Sequence, residues 1–144
     1  MSARKPRSVW PIAQQTAHAQ RRGRYLPAST AHPAKMLPAL ARTAIATYSK
    51  VGELVLDPMC GTGTTLGEAV QLGREAIGVE LEPRWVGLAA ANLALARDQG
   101  ATGWGLVTRG YARLLGRGLL DQLAGRVDLI VTSPPYSKSL HGQV

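Results

Sequence analysis

LVLDPMCGTGTT, residues 54–65, is an apolar run that stops at an acid and a proline and continues into two glycines and three threonines. ELVLD, Glu53 to Asp57, reads as a short buried strand. Gly61 and Gly63 then lead into a helical pattern that runs to Gly73. Glycine at such a turn permits positive φ and close approach of a ligand to the backbone. The free N–H groups at the start of the helix face an anion, phosphate or carboxylate. Thr64 or Thr65 is placed to cap that helix.

The same alternation continues outward. EAIGVE is a second strand, and PRWVGLAAANLALARDQG opens a long helix with Pro83 and closes it at Gly100. WGLVT is a third, weaker strand, ARLLGRGLLDQLAG is irregularly helical, and VDLIVTS is a fourth strand. Upstream, Leu37, Leu40, Ala44 and Tyr48 recur at helical spacing, which predicts a helix from about Ala34 to Ser49. Apolar strands alternating with helices predict an α/β fold, a parallel, doubly wound sheet covered on both faces.

In such a sheet ligands bind beyond the carboxyl ends of the strands. Glu80 ends the second strand, 23 positions after Asp57, where an acid accepts hydrogen bonds from a ribose diol. A dinucleotide fingerprint would need its third glycine one place before Gly67, and it has no use for Asp57-Pro58. An acid at Asp57 orders the turn and reaches a ligand ammonium, while helix N–H groups take a carboxylate. That combination suits S-adenosylmethionine, an amino acid joined to adenosine.

Charge is uneven. The 144 residues carry net +8, yet residues 1–50 hold nine Lys/Arg and no acid, and residues 51–144 hold eight bases against nine acids. Residues 1–30, rich in Arg, Gln, Ser and Pro, are expected to be a disordered basic arm suited to a polyanion such as nucleic acid, and residues 31–144 the folded part. No apolar run approaches a membrane span of about 20 residues, and no secretory signal is visible. One cysteine, Cys60, and three scattered histidines offer no metal-ligand spacing, so no metal is expected. The expected location is the cytoplasm.

At this point the motifs resemble a known family. DPMCGTGTT resembles the first motif of the amino-group DNA methyltransferases, TSPPY (Thr132–Tyr136) their catalytic motif, and AHPAKMLP (Ala31–Pro38) the segment that often precedes the first motif. The resemblance covers about residues 31–144 and implies a Rossmann-like, S-adenosylmethionine-dependent methyltransferase fold. It assigns cofactor binding to His32, Asp57, Pro58, Met59, Cys60, Gly61, Gly63, Thr64 and Glu80, and catalysis to Ser133, Pro134, Pro135 and Tyr136. An exocyclic base amine needs alignment with the methyl donor and acceptors for its N–H groups, which Ser133 Oγ and the Pro134 carbonyl supply. Tyr136 offers a face for a flipped-out base. Cys60 is a wall residue, since the nucleophilic cysteine of cytosine-C5 enzymes follows the fourth strand. A leading serine is commoner in cytosine-N4 enzymes and aspartate in adenine-N6 enzymes, so the expected substrate is DNA, cytosine N4 ahead of adenine N6. A guanine-N2 methyltransferase of tRNA is the alternative, and an inactive binding module a second. Asp57-Pro58 and S-P-P-Y count against a dinucleotide oxidoreductase.

Two departures from the family pattern stand out. After the third strand the family often has Gly-Asp-Ala, with the acid on the adenine amine, whereas here Tyr111 stands in the middle. The chain also stops eight residues after Tyr136, with about four of the family's seven strands legible. A fragment, a degraded gene or a second chain would account for this, and a bare edge at the fourth strand is expected to favour self-association.

Overall fold

The computed structural model describes residues 8–12 and 14–135. Tyr136 lies outside the described residues, as do Arg4, Lys5 and Arg7. Four parallel strands, β1 (Leu54–Asp57), β2 (Glu75–Glu80), β3 (Gly105–Arg109) and β4 (Leu129–Ile130), form one sheet in the order β3-β2-β1-β4. Succession therefore runs outward from β1 to β3 and then jumps back to the other side of β1. The reversal falls between β1 and β4, and the chain leaves both strands at their carboxyl ends there. Leu56 pairs with Ile130 across this seam, and Val131 N–H continues it to Leu56 O at 3.1 Å.

Helices α3 (Thr64–Gln71) and α4 (Pro83–Asp98) make the crossovers from β1 to β2 and from β2 to β3. Helix α2 (Pro38–Tyr48) packs on α3. It begins four residues later than its periodicity suggests, because Pro38 cannot continue a preceding turn and takes the first helical position. Ala41 and Ile45 of α2, Leu66, Ala69 and Val70 of α3 and Ala96 of α4 bury Val55 and Ala76 in one core. On the opposite strand face, Leu54, Leu56 and Ile77 pack against Leu123 and Val127. Among the described residues, then, helices cover one face rather than two. The β3–β4 crossover carries Gly116, Gly118 and Gly125, and it folds as two 3₁₀ turns, Ala112–Leu114 and Leu119–Leu123. Among the described residues strand β4 is a sheet edge, and Ile130 on it is 60% exposed.

Residues 17–30, expected in a disordered arm, instead pack on the domain. Helix α1 (Ala17–Arg21) is capped by the Thr16 hydroxyl, which accepts from Ala19 N–H at 3.1 Å. Arg21 is buried and donates to Thr64 Oγ1 at 3.0 Å and to the Met36 carbonyl. Tyr25 is buried too, and its hydroxyl donates to Thr64 O at 3.1 Å. Its ring fills the space a side chain at Gly67 would need, for a Cβ there would stand 2.9 Å from the ring. Arg24 and Arg42 both pair with Glu68, whose side chain is 0% exposed; Arg42 Nη2 lies 2.7 Å from it. The charge count misleads because the acid that compensates the basic stretch is 44 residues away from Arg24 and comes from α3.

Candidate functional site

A cleft of about 720 Å³ opens at the carboxyl ends of the strands. Eleven of the residues assigned from sequence line it: His32, Asp57, Pro58, Met59, Cys60, Gly61, Thr64, Glu80, Ser133, Pro134 and Pro135. Gly63 does not. Its φ of 85° is the left-handed conformation glycine tolerates, and a Cβ there would lie 3.1 Å from Ala89 Cβ. Gly63 therefore lets α3 and α4 approach each other, not a ligand approach the backbone. A Cβ at Gly61 would meet His32 Nε2 at 3.1 Å, so this glycine makes room for the imidazole.

Asp57 is 3% exposed and organises the turn. Its Oδ1 accepts from Met59 N–H at 3.1 Å and from Thr132 Oγ1 at 2.8 Å. Burial raises its pKa above the ordinary carboxylate value, an effect opposed by the hydroxyls of Thr132 and Thr65 and by Met59 N–H. The Thr132 bond ties the end of β4 to the end of β1, so Ser133-Pro134-Pro135 starts from a fixed point on the cleft wall. Neither Thr64 nor Thr65 caps α3: Gly63 occupies the cap position. The Thr64 hydroxyl is taken by Arg21, and that of Thr65 turns to Asp57 and Met36.

Glu80 also holds backbone. Its Oε2 accepts from Gly61 N–H and its Oε1 from Glu82 N–H, both at 2.9 Å. It thus joins the glycine turn of β1 to the loop leaving β2, and each oxygen keeps a lone pair for a further donor. His32 packs edge-on against Trp85, with ring centroids 4.7 Å apart, and its Nδ1 accepts from Ala34 N–H at 3.2 Å. Burial lowers its pKa, and the neutral ring carries its proton on Nε2. Cys60 is buried with its thiol pKa raised well above the ordinary value by burial and then by Asp57 and Glu80, so it is a poor nucleophile.

The family described as DNA methylase matches residues 2–91 of the 144. The chain belongs to this family. It is 37% identical over 109 residues to the tRNA (guanine(10)-N2)-dimethyltransferase of Methanothermobacter thermautotrophicus, covering 75% of this chain and 30% of that protein. It is 34% identical over 90 residues to the type II methyltransferase M.HinfI of Haemophilus influenzae, covering 62% and 24%. The crystal structure of TrmN from Thermus thermophilus superposes with a TM-score of 0.62 at 27% identity, over 83% of this chain and 33% of that one. The chain spans about 30% of the length of the curated tRNA relatives it matches.

Two residues of this site escape a reading by motif. Trp85 is 5% exposed, lines the cleft and positions His32, but in the sequence it is only one aromatic in a helix. Asn92 is 1% exposed. Its Oδ1 accepts from Leu26 N–H, and its Nδ2 donates to Ser29 Oγ and to Thr62 O, each at 2.8 Å. It therefore locks the N-terminal segment onto the glycine turn. An asparagine within the alanine-rich stretch AAANLAL was the available signal, since a buried amide requires partners.

Proposed function

We propose that this chain forms the cofactor cleft and the S-P-P segment of an S-adenosylmethionine-dependent methyltransferase acting on an exocyclic amine of a nucleic-acid base, DNA cytosine N4 ahead of adenine N6. The observation that carries the reading is the 2.8 Å bond from Thr132 to Asp57, which brings the S-P-P segment and the glycine turn to one cleft. The cleft is of a size usual for a ligand as large as this cofactor, and its donor set fits. Asp57 faces an ammonium, the first-turn N–H groups of α3 lack partners within the helix and suit a carboxylate, and the remaining lone pairs of Glu80 suit a ribose diol. When bound, the cofactor supplies an electrophilic methyl group on a sulfonium.

The chain's part is alignment. Ser133 Oγ and the Pro134 carbonyl accept the N–H groups of the target amine and turn its nitrogen toward the methyl. Two successive prolines lock φ and hold those acceptors in place. The S-adenosylmethionine that Asp57, Glu80 and the first turn of α3 would hold would supply the methyl in exchange for one proton of the amine, released to solvent. The rate then derives largely from positioning. The leading Ser133 and the DNA-methylase family support the DNA reading. The 37% identity to a tRNA guanine-N2 enzyme favours tRNA as the second reading.

The test is label transfer from methyl-labelled cofactor to unmethylated duplex DNA or unmodified tRNA, with nucleosides identified by mass spectrometry. N4-methylcytosine is expected, falling about 100-fold or more in Ser133→Ala. N2-methylguanine confined to tRNA would replace the DNA reading. Cofactor binding without label in either nucleic acid would leave a binding module only.

A further inference from the structure

We propose that a groove between α4 and the outer edge of β3 docks an unpaired base of the DNA strand, stacked on Trp104, with Arg97 on its phosphate. This deepens the nucleic-acid reading above and rests on it. The groove holds about 190 Å³ and shares no lining residue with the cleft. Its walls are apolar, Leu93 and Ala94 of α4 and Leu106 and Val107 of β3, and Trp104 and Arg97 join them. Ala76 N–H donates to Trp104 O at 2.8 Å, and Gly110 N–H to Glu80 O at 3.0 Å. Even-numbered residues of β3 thus bond to β2. The N–H and C=O groups of Gly105 and Val107 turn outward, to an edge that no described strand covers. Trp104 and Leu106, two residues apart and so on one face of the strand, are 55% and 39% exposed.

An open aromatic surface beside a cation suits a partner with flat rings and negative charge. Residues 97–117 carry four arginines, Arg97, Arg109, Arg113 and Arg117, against one acid, Asp98, which is not on the groove. A second copy laid against this edge would bring the same arginines together, which like charge opposes. A nucleic-acid strand instead offers a phosphate to Arg97 and a ring face to Trp104. No lining side chain is an acceptor and Arg97 only donates, so the base is held by stacking and its identity goes unread. A paired base keeps its faces in the duplex stack and cannot enter. The five residues of β3 span about 17 Å from the groove toward the cleft, where Arg113 lines the wall. A strand that lays its target base in the cleft therefore reaches the groove a few nucleotides on.

The experiment is fluorescence anisotropy of the chain with a short labelled oligo-dT, with its duplex on oligo-dA and with oligo-U, each over a salt series. Loss of a stacking partner weakens binding of a base by about tenfold or more. Trp104→Ala should lose that much for oligo-dT and less than about twofold for the duplex, and Trp104→Phe should lose almost none for either. Arg97→Gln should make the log–log salt slope for oligo-dT shallower by about 0.7. Both side chains are exposed, so the variants should unfold at the wild-type urea midpoint. Equal loss for strand and duplex in Trp104→Ala, or no loss for the strand, overturns the groove alone. Loss confined to oligo-U overturns DNA as the occupant. Trp104→Ala that breaks up a dimer in sedimentation velocity, with affinity for oligo-dT unchanged, overturns it in favour of a second copy. Wild type that binds none of the three at low salt overturns the groove and the nucleic-acid reading together.

Discussion

Glu68 is the buried charge on which the N-terminal half of the chain converges. Its carboxylate is 0% exposed, while the side chains of its partners Arg24 and Arg42 are 34% and 42% exposed. That asymmetry decides what each substitution should cost. Replacing both arginines, Arg24→Met with Arg42→Met, leaves a carboxylate in the core with no ion-pair partner, facing only the more distant charge of Arg21 and the Tyr25 hydroxyl. Removing the partners of a buried ion costs about 3–5 kcal/mol. Glu68→Gln leaves two guanidiniums that already reach water, and the amide oxygen still accepts from one of them. Its cost is the loss of charge assistance, about 1–2 kcal/mol. The double arginine variant should therefore be the less stable by roughly 2 kcal/mol, although it keeps the buried residue and alters only half-exposed ones. In urea, with a slope of about 2 kcal/mol/M for a chain of this size, that gap is a midpoint difference of about 1 M. Adding Glu68→Leu to the double variant should restore most of the loss, because an apolar trio no longer strands a charge. Unfolding followed by circular dichroism is the assay. If Glu68→Gln proved as destabilising as the double arginine variant, the reasoning from exposure would be refuted.

Further outcomes follow from the same structure. Asp57→Asn should weaken S-adenosylhomocysteine binding about tenfold or more while raising stability at neutral pH. A carboxyl whose pKa burial raises loses stability as pH climbs from its ordinary 3.8 through the folded value. The advantage of the variant over wild type should therefore grow across that window and stay level above it, and its absence in a pH series of denaturation curves would count against the burial argument. Asn92→Leu strands Leu26 N–H and Thr62 O and should cost about 2–4 kcal/mol, with limited proteolysis then cutting first within residues 17–31. Ile130→Lys should reduce self-association in sedimentation velocity, since a charge on an edge strand opposes pairing with another chain; an unchanged profile would remove the edge as the cause. Replacing Arg4, Lys5 and Arg7 by Gln should flatten the salt dependence of duplex DNA binding by about 0.9 in log–log slope per lost phosphate contact, whereas Arg21 and Arg24, engaged inside the fold, should contribute little.

Much of the fold was legible because its signals are local. The run Leu54–Leu56 ending at Asp57-Pro58, the first-turn proline at Pro83 and the four apolar strand segments each follow from backbone chemistry within a few residues. The parallel sheet then follows from their alternation with helices. The placement of the glycine turn and S-P-P at strand ends was likewise legible, since strand ends share one edge of a parallel sheet. What depends on distant partners was not. The role of Gly63 is set by Ala89 of α4, that of Gly67 by Tyr25, and that of Gly61 by His32. The basic stretch read as an unpaired arm because Glu68 is close to Arg24 and Arg42 only after α3 has packed on α2. Thr64 and Thr65 looked like caps, but tertiary contacts with Arg21 and Asp57 claimed their hydroxyls. Local propensity specifies which residues form strands, turns and helices. Which buried polar group meets which is decided only when packing removes water and leaves each donor and acceptor one available partner.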